Sequence, residues 1–265
     1  MRTSTSYRNK SRTPLTRALS GAAVLVFWVA VWWLIAWRVN QELLVPTPLL
    51  VGKTLWRLVQ TATFWKAAAA SLLRVAAGFA SGVAAGVLLG LLTYRFEWAA
   101  HLFSPLLKTV RATPVASFII LALVWLKTDT LPAFIAFLMV LPIVWSNVDK
   151  GLGQTDRRLL EMARLFRFGK RRTVLHVWIP SVMPYFLSAC TTALGLAWKS
   201  AVAAEVICRP EDSIGRLLQT AKNHLETAEV FAYTVAVIVL SVVLERLFLA
   251  LAKRLGRRFN ANEEV

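Results

Sequence analysis

The feature that most limits what this chain can fold into is a series of apolar blocks, each long enough to cross a lipid bilayer. Leu19 to Trp37 is one such block and contains no charged residue. Bilayer hydrocarbon is ~30 Å thick and a helix rises ~1.5 Å per residue, so a span needs about 20 apolar residues. Blocks at about 19–37, 71–93, 110–126, 131–148, 183–204 and 230–251 meet this test. The expectation is an all-α membrane protein with six transmembrane helices in one domain, 18–252. Basic cytoplasmic tails at 1–17 and 253–265 flank it. The first block is too long for a signal-peptide core and has no small-x-small cleavage site after it, so an uncleaved span is expected. Trp32, Trp33 and Trp37 are then placed near the outer interface.

Charge fixes the expected orientation. The net charge is +17 while only 17% of residues are charged. The basic residues cluster in short segments between the apolar blocks, unlike the basic face of a soluble nucleic-acid binder. With both termini in the cytoplasm, inner segments hold 20 Lys and Arg against 8 in outer segments. That bias follows the positive-inside rule, and no nucleic-acid partner is expected.

Several chemical readings are excluded. Val51-Gly52-Lys53-Thr54 suggests a phosphate-binding loop, but that motif needs Gly five positions before Gly52, where Thr47 stands. His101, His176 and His224 are scattered without ligand spacing, and no Ser–His–Asp order is credible. Cys190 and Cys208 form no framework. Neither a catalytic site nor a metal or cofactor is expected.

Within the second block, Gly78, Gly82, Gly86 and Gly90 recur at spacing four and share one helix face. Such a face lets a neighbouring helix approach closely. Plain packing is the first reading, and a sliding surface is the second. Pro114, Pro132 and Pro142 lie near helix ends or inside helices, where they often mark bends. In the fifth block Lys199 is costly to bury, at ~2.5–3.5 kcal/mol near a span centre. It either pairs with a carboxylate such as Glu205, snorkels, or lines an anion path. Lys199, its neighbour Trp198, and Glu205 are the translocation-path candidates. Arg74, early in the second span, is expected to snorkel or to pair.

Residues 149–182 form a long basic loop with a helical signal of its own. Leu159, Met162, Ala163 and Phe166 fall at i, i+3, i+4 and i+7. Arg157, Glu161 and Arg164 line another face at pairing distance. Gly169 is a candidate helix stop, and Pro180 and Pro184 are expected to interrupt helix before the fifth span. A cytoplasmic helix with an exposed apolar stripe is built to dock.

This loop resembles the E-A-A loop of binding-protein-dependent ABC (ATP-binding cassette) importer permeases. That pattern reads E-A-A, three residues, Gly, nine residues, then I-x-L-P. Glu161-Met162-Ala163 matches its start and Val177-Trp178-Ile179-Pro180 its end. The family glycine falls on Arg167, and the nearest glycine is Gly169. Either the turn is displaced by two residues or the helix continues through Arg167. The stretches Leu44–Pro48, Ser71–Phe79 and Gly195–Glu205 resemble the branch importing taurine, alkanesulfonates, nitrate and pyrimidine precursors of thiamine. Together these cover most of residues 44–251.

The resemblance implies a type I importer permease fold in a prokaryotic cell membrane. It implies a homodimer, two cytoplasmic ATPase subunits and an extracytoplasmic solute-binding protein. Hydrolysis would belong to the ATPase, and Leu159, Glu161, Met162, Ala163, Phe166, Arg167, Gly169 and Pro180 would form the coupling loop. The alternative class is an ion-coupled secondary transporter. It would need buried carboxylates in several spans, and only Glu245 is a candidate.

Overall fold

The computed structural model describes the backbone of residues 14–260 and the side chains of residues 22–252. The expected tails lie partly outside these limits: 1–13 and 261–265 are not described. The described part is helical. It comprises α1 (Pro14–Val39), α2 (Pro48–Val59), α3 (Ala62–Arg95), α4 (Glu97–Ala112), α5 (Val115–Ala122) and α6 (Leu131–Gly153). There follow α7 (Arg157–Leu165), α8 (Lys170–Thr173), a π-helical turn (Val174–Trp178), α9 (Ile179–Cys208), α10 (Ile214–Asn223) and α11 (Thr227–Asn260). Five of these segments are long and apolar enough to cross a membrane, and the pair α4–α5 makes a sixth if it counts as one bent span.

The core is a close pair of helices. Gly78, Gly82, Gly86 and Gly90 face Ala136, Val140, Val144 and Val148, residues that also recur every four positions. A Cβ added at Gly82, Gly86 or Gly90 would lie 2.8, 2.8 or 2.9 Å from the Cβ of its valine. At Gly78 it would strike the Ala133 carbonyl oxygen. The glycine stripe is therefore the packing surface of α3 on α6. Where lipid is as apolar as a side chain, this close fit supplies dispersion energy that water exclusion cannot. Helix α9 covers the same core with Ala189, Ala193, Ala197 and Ala201, all buried.

The order of those contacts makes α3 and α6 parallel: Gly78 meets Ala136 at one end and Gly90 meets Val148 at the other. Parallel neighbours require the chain between them to return across the bilayer. Between them stand α4 and α5, a bent pair where a single span at 110–126 was expected. Helices α4 and α5 meet at 104°. Pro114 explains the break, because its ring disfavours helical geometry at the preceding residue, and Thr113 is extended with ψ 134°. At eight residues α5 is only ~12 Å long and cannot span alone. It packs with Leu131, Ile135, Ala204 and Cys208 at one end of the core. Leu107 of α4 packs with Leu141 and Trp145 toward the other.

Two further boundaries differ from expectation. The second span begins at Ala62, nine residues early. Thr61 caps it by accepting from the Phe64 N–H, and the following KAAAAS is strongly helix-forming. Only amphipathic α2 remains as a connector. Pro180 and Pro184 do not interrupt helix, for the chain stays helical from Lys170 to Cys208. The π turn, where the Ile179 N–H donates to the Val174 carbonyl, widens the helix just before Pro180. Pro180 follows that turn directly, at a local break in the i to i−4 pattern where a residue without an N–H is accommodated.

The loop helix, the exposed lysine and the buried carboxylate

Helix α7 starts at Asp156, whose carboxylate accepts from the Arg158 N–H at 2.8 Å. Its end settles where the loop turns. The Phe168 N–H donates to the Ala163 carbonyl at 2.8 Å and the Arg167 N–H to the Arg164 carbonyl at 3.0 Å. These two bonds are a Schellman cap, and Arg167 occupies its left-handed position with φ 50°. The turn is thus not displaced, and the helix does not run through Arg167. A non-glycine residue holds the conformation that suits glycine, at about 1–2 kcal/mol. Gly169 does not end α7; it precedes α8 with φ −65°.

The stripe on α7 differs in membership from the expected one. Leu159, Met162 and Phe166 are exposed, as is Leu165 at 81%. Ala163, at 2% exposed, belongs to the chain's own interior. Among the described residues Glu161 pairs with neither Arg157 nor Arg164; all three are exposed and unbridged.

Helix α9 separates the three path candidates. Lys199 is exposed, on a face shared with Thr192, Leu196 and Ala203. Trp198, 1% exposed, points inward and its indole donates to the Val237 carbonyl at 3.2 Å. Glu205 is fully buried. In the single chain Trp198 and Glu205 are buried, and of the three candidates Lys199 alone is exposed. Lys199 does not pair with Glu205, since residues six apart on a helix point about 120° away from each other.

Glu205 has other partners. Its Oε2 accepts from the Ser71 hydroxyl at 2.8 Å and the Gly215 N–H at 3.3 Å. Ser71 Oγ in turn accepts from the Ile214 N–H at 3.1 Å. Glu205 Oε1, without a hydrogen bond, lies 3.6 Å from Arg74 Nη1. Arg74 also donates to the carbonyls of Asp212 (3.1 Å) and Glu211 (2.7 Å), and Asp129 stands 3.7 Å away. One buried node thus ties α3, α9, the start of α10 and the turn before α6. Sequence reading missed Ser71, Gly215 and Asp129. Gly215 left a trace, as an isolated glycine beside the N-cap Ser213: a Cβ there would strike the Glu205 side chain.

Comparison with known proteins identifies the family. Residues 82–258 match the model of the family described as binding-protein-dependent transport system inner membrane component. The chain is 30% identical over 203 residues to a putative aliphatic sulfonates transport permease protein of Escherichia coli K12, covering 75% of this chain and 76% of that one. It is 24% identical over 258 residues to the taurine transport system permease protein of the same organism, covering 94% of each. In structure it resembles a chain from the crystal structure of an amino acid ABC transporter with histidines. The TM-score is 0.54 at 18% identity, over 71% of this chain and 91% of that one. That likeness concerns the fold. The family is a multi-pass component of the bacterial inner membrane in which ATP hydrolysis belongs to a separate subunit, which answers the ion-coupled alternative. This chain belongs to the binding-protein-dependent transport system inner membrane component family, the permeases of ABC importers.

Proposed function

We propose that two copies of this chain enclose a path for a small organic anion, a sulfonate in the first instance. An extracytoplasmic binding protein delivers the anion, and ATPase subunits seated on α7 drive its passage. The observation that carries the anion reading is Lys199: a cation at membrane depth, exposed on the single chain and without a carboxylate partner among the described residues. A lysine so placed is expensive unless it faces a polar cavity or a partner. A path between two α9 faces would give it both water and a ligand charge. The names of the sulfonate and taurine relatives support the same substrate class.

Both termini lie in the cytoplasm in this reading. The 209–213 turn then faces the binding protein and α7 faces the ATPase. Membrane-impermeant thiol reagents should label Glu211→Cys in intact cells and miss Gln154→Cys; both positions are exposed. The decisive test is uptake of radiolabelled taurine and ethanesulfonate in cells expressing the full transporter. Lys199→Gln should reduce uptake at least tenfold at normal permease abundance, and Lys199→Arg should retain part of it. Normal uptake by Lys199→Gln, or a cationic ligand on the binding protein, would refute the anion path.

A further inference from the structure

A deep apolar groove of about 930 Å³ opens between the second half of α3 and the start of α9. Leu91, Val182 and Phe186 help to line it, and Tyr94, Arg95 and Trp178 stand among its walls. Its size falls within the ~300–1,000 Å³ range of small-molecule sites. Its walls are almost wholly hydrocarbon, so the occupant must be apolar over most of its length.

Its polar features gather at one end. Tyr94 and Trp178 meet edge to face at 5.7 Å, and paired aromatics of this kind sit at the membrane–water boundary. Arg95 is exposed beside them, its guanidinium 5.2 Å from the Phe96 ring. Glu97, the carboxylate nearest in sequence, forms no ion pair with it. Lys170 and Arg171 lie four and three residues before Val174, another wall residue, and so on its side of the helix; both are exposed and unpaired among the described residues. An apolar slot ending in aromatic rings and a cluster of cations matches an acyl chain joined to an anionic headgroup.

We propose that this groove is a binding site for an anionic phospholipid. One acyl chain lies against Leu91, Val182 and Phe186, and the phosphate end meets Arg95 and the α8 cations. Charge complementarity selects this occupant over a zwitterionic lipid. Each Lys or Arg near the surface favours an anionic headgroup by about fivefold. The groove opens at the inner leaflet only if the orientation proposed above holds, but the binding itself does not depend on orientation or on transport. The site is placed to matter, because its wall is the π turn that joins the α7 loop to α9. Lipid there would brace that turn against α3.

The test is native mass spectrometry of the purified full chain, titrated with phosphatidylglycerol and phosphatidylcholine of identical acyl chains. The wild type should retain phosphatidylglycerol at least fivefold more strongly. Arg95→Gln should reduce that preference several-fold and Arg95→Lys should preserve it. Leu91→Trp, at an exposed position, should fill the groove and lower retention of both lipids. Arg38→Gln, at the end of α1, should change nothing. Equal retention of the two lipids, or an unchanged preference in Arg95→Gln, would overturn the proposal. So would efficient chain-to-chain cross-linking through Leu91→Cys in lipid nanodiscs, which would mean that a second copy covers the groove.

Discussion

The Ser71 hydroxyl donates to Glu205 Oε2 at 2.8 Å while its own oxygen accepts the Ile214 N–H, joining residues 134 apart in sequence. A carboxylate this deeply buried is tolerable because Ser71 and Gly215 donate to one oxygen and the Arg74 guanidinium stands beside the other. The node is therefore a structural clasp between α3, α9 and α10.

Ser71→Ala leaves a buried carboxylate oxygen and a buried backbone N–H each short of a partner. The expected loss is about 1–3 kcal/mol. It should appear as a lower unfolding temperature of the purified chain in detergent. Ser71→Thr should recover part of the loss. A Ser71→Ala protein as stable as wild type would show that the clasp contributes nothing.

The α3–α6 seam predicts a reciprocal pair. Gly86→Ala puts a methyl 2.8 Å from the Val144 Cβ and should destabilise by roughly 1–3 kcal/mol, through overpacking. Val144→Ala should also destabilise, by leaving a void. Combined, the two should cost less than their sum, and a double-mutant cycle on thermal unfolding measures that coupling. Strict additivity would mean that the seam relaxes freely.

Arg167 pays for a left-handed backbone that glycine adopts at little cost. Arg167→Gly should leave the loop intact and raise its local stability by about 0.5–1 kcal/mol, the αL saving less the glycine entropy. Amide hydrogen exchange across residues 157–168 should slow. Arg167→Val should speed it, since a β-branched residue suits that conformation least. Faster exchange in Arg167→Gly would imply that the arginine side chain itself holds the loop.

The α7 stripe can be tested without harming the permease if the exposed residue is chosen. Phe166→Glu, at a position 66% exposed, should insert at normal abundance yet lose the ATPase during mild-detergent purification, and lose uptake with it. Ala163→Glu forces a charge into a buried site and should instead lower permease abundance. If Phe166→Glu keeps stoichiometric ATPase and full uptake, α7 is not the docking element.

The order of residues alone made the solvent of this protein, most of its helices and its family legible. Apolar blocks of span length have one stable solution in lipid, where every backbone amide must be satisfied within its own segment. Glycines at spacing four announced a close helix contact, and Glu161–Ala163 with Val177–Pro180, inside the 149–182 loop, carried the family pattern. The broken third crossing was less legible. Hydropathy averaged across Pro114 still reads as one block, and the 104° angle between α4 and α5 is visible only in the structure. Which face of each helix turns inward was also decided by tertiary structure. In a bilayer the core and the lipid are equally apolar, so nothing in the apolar residues of α9 says that Trp198 turns inward while Leu196 stays exposed. Glu205 has its partners in Ser71 and Arg74, more than 130 positions away, and only the packing of α3 beside α9 brings them together.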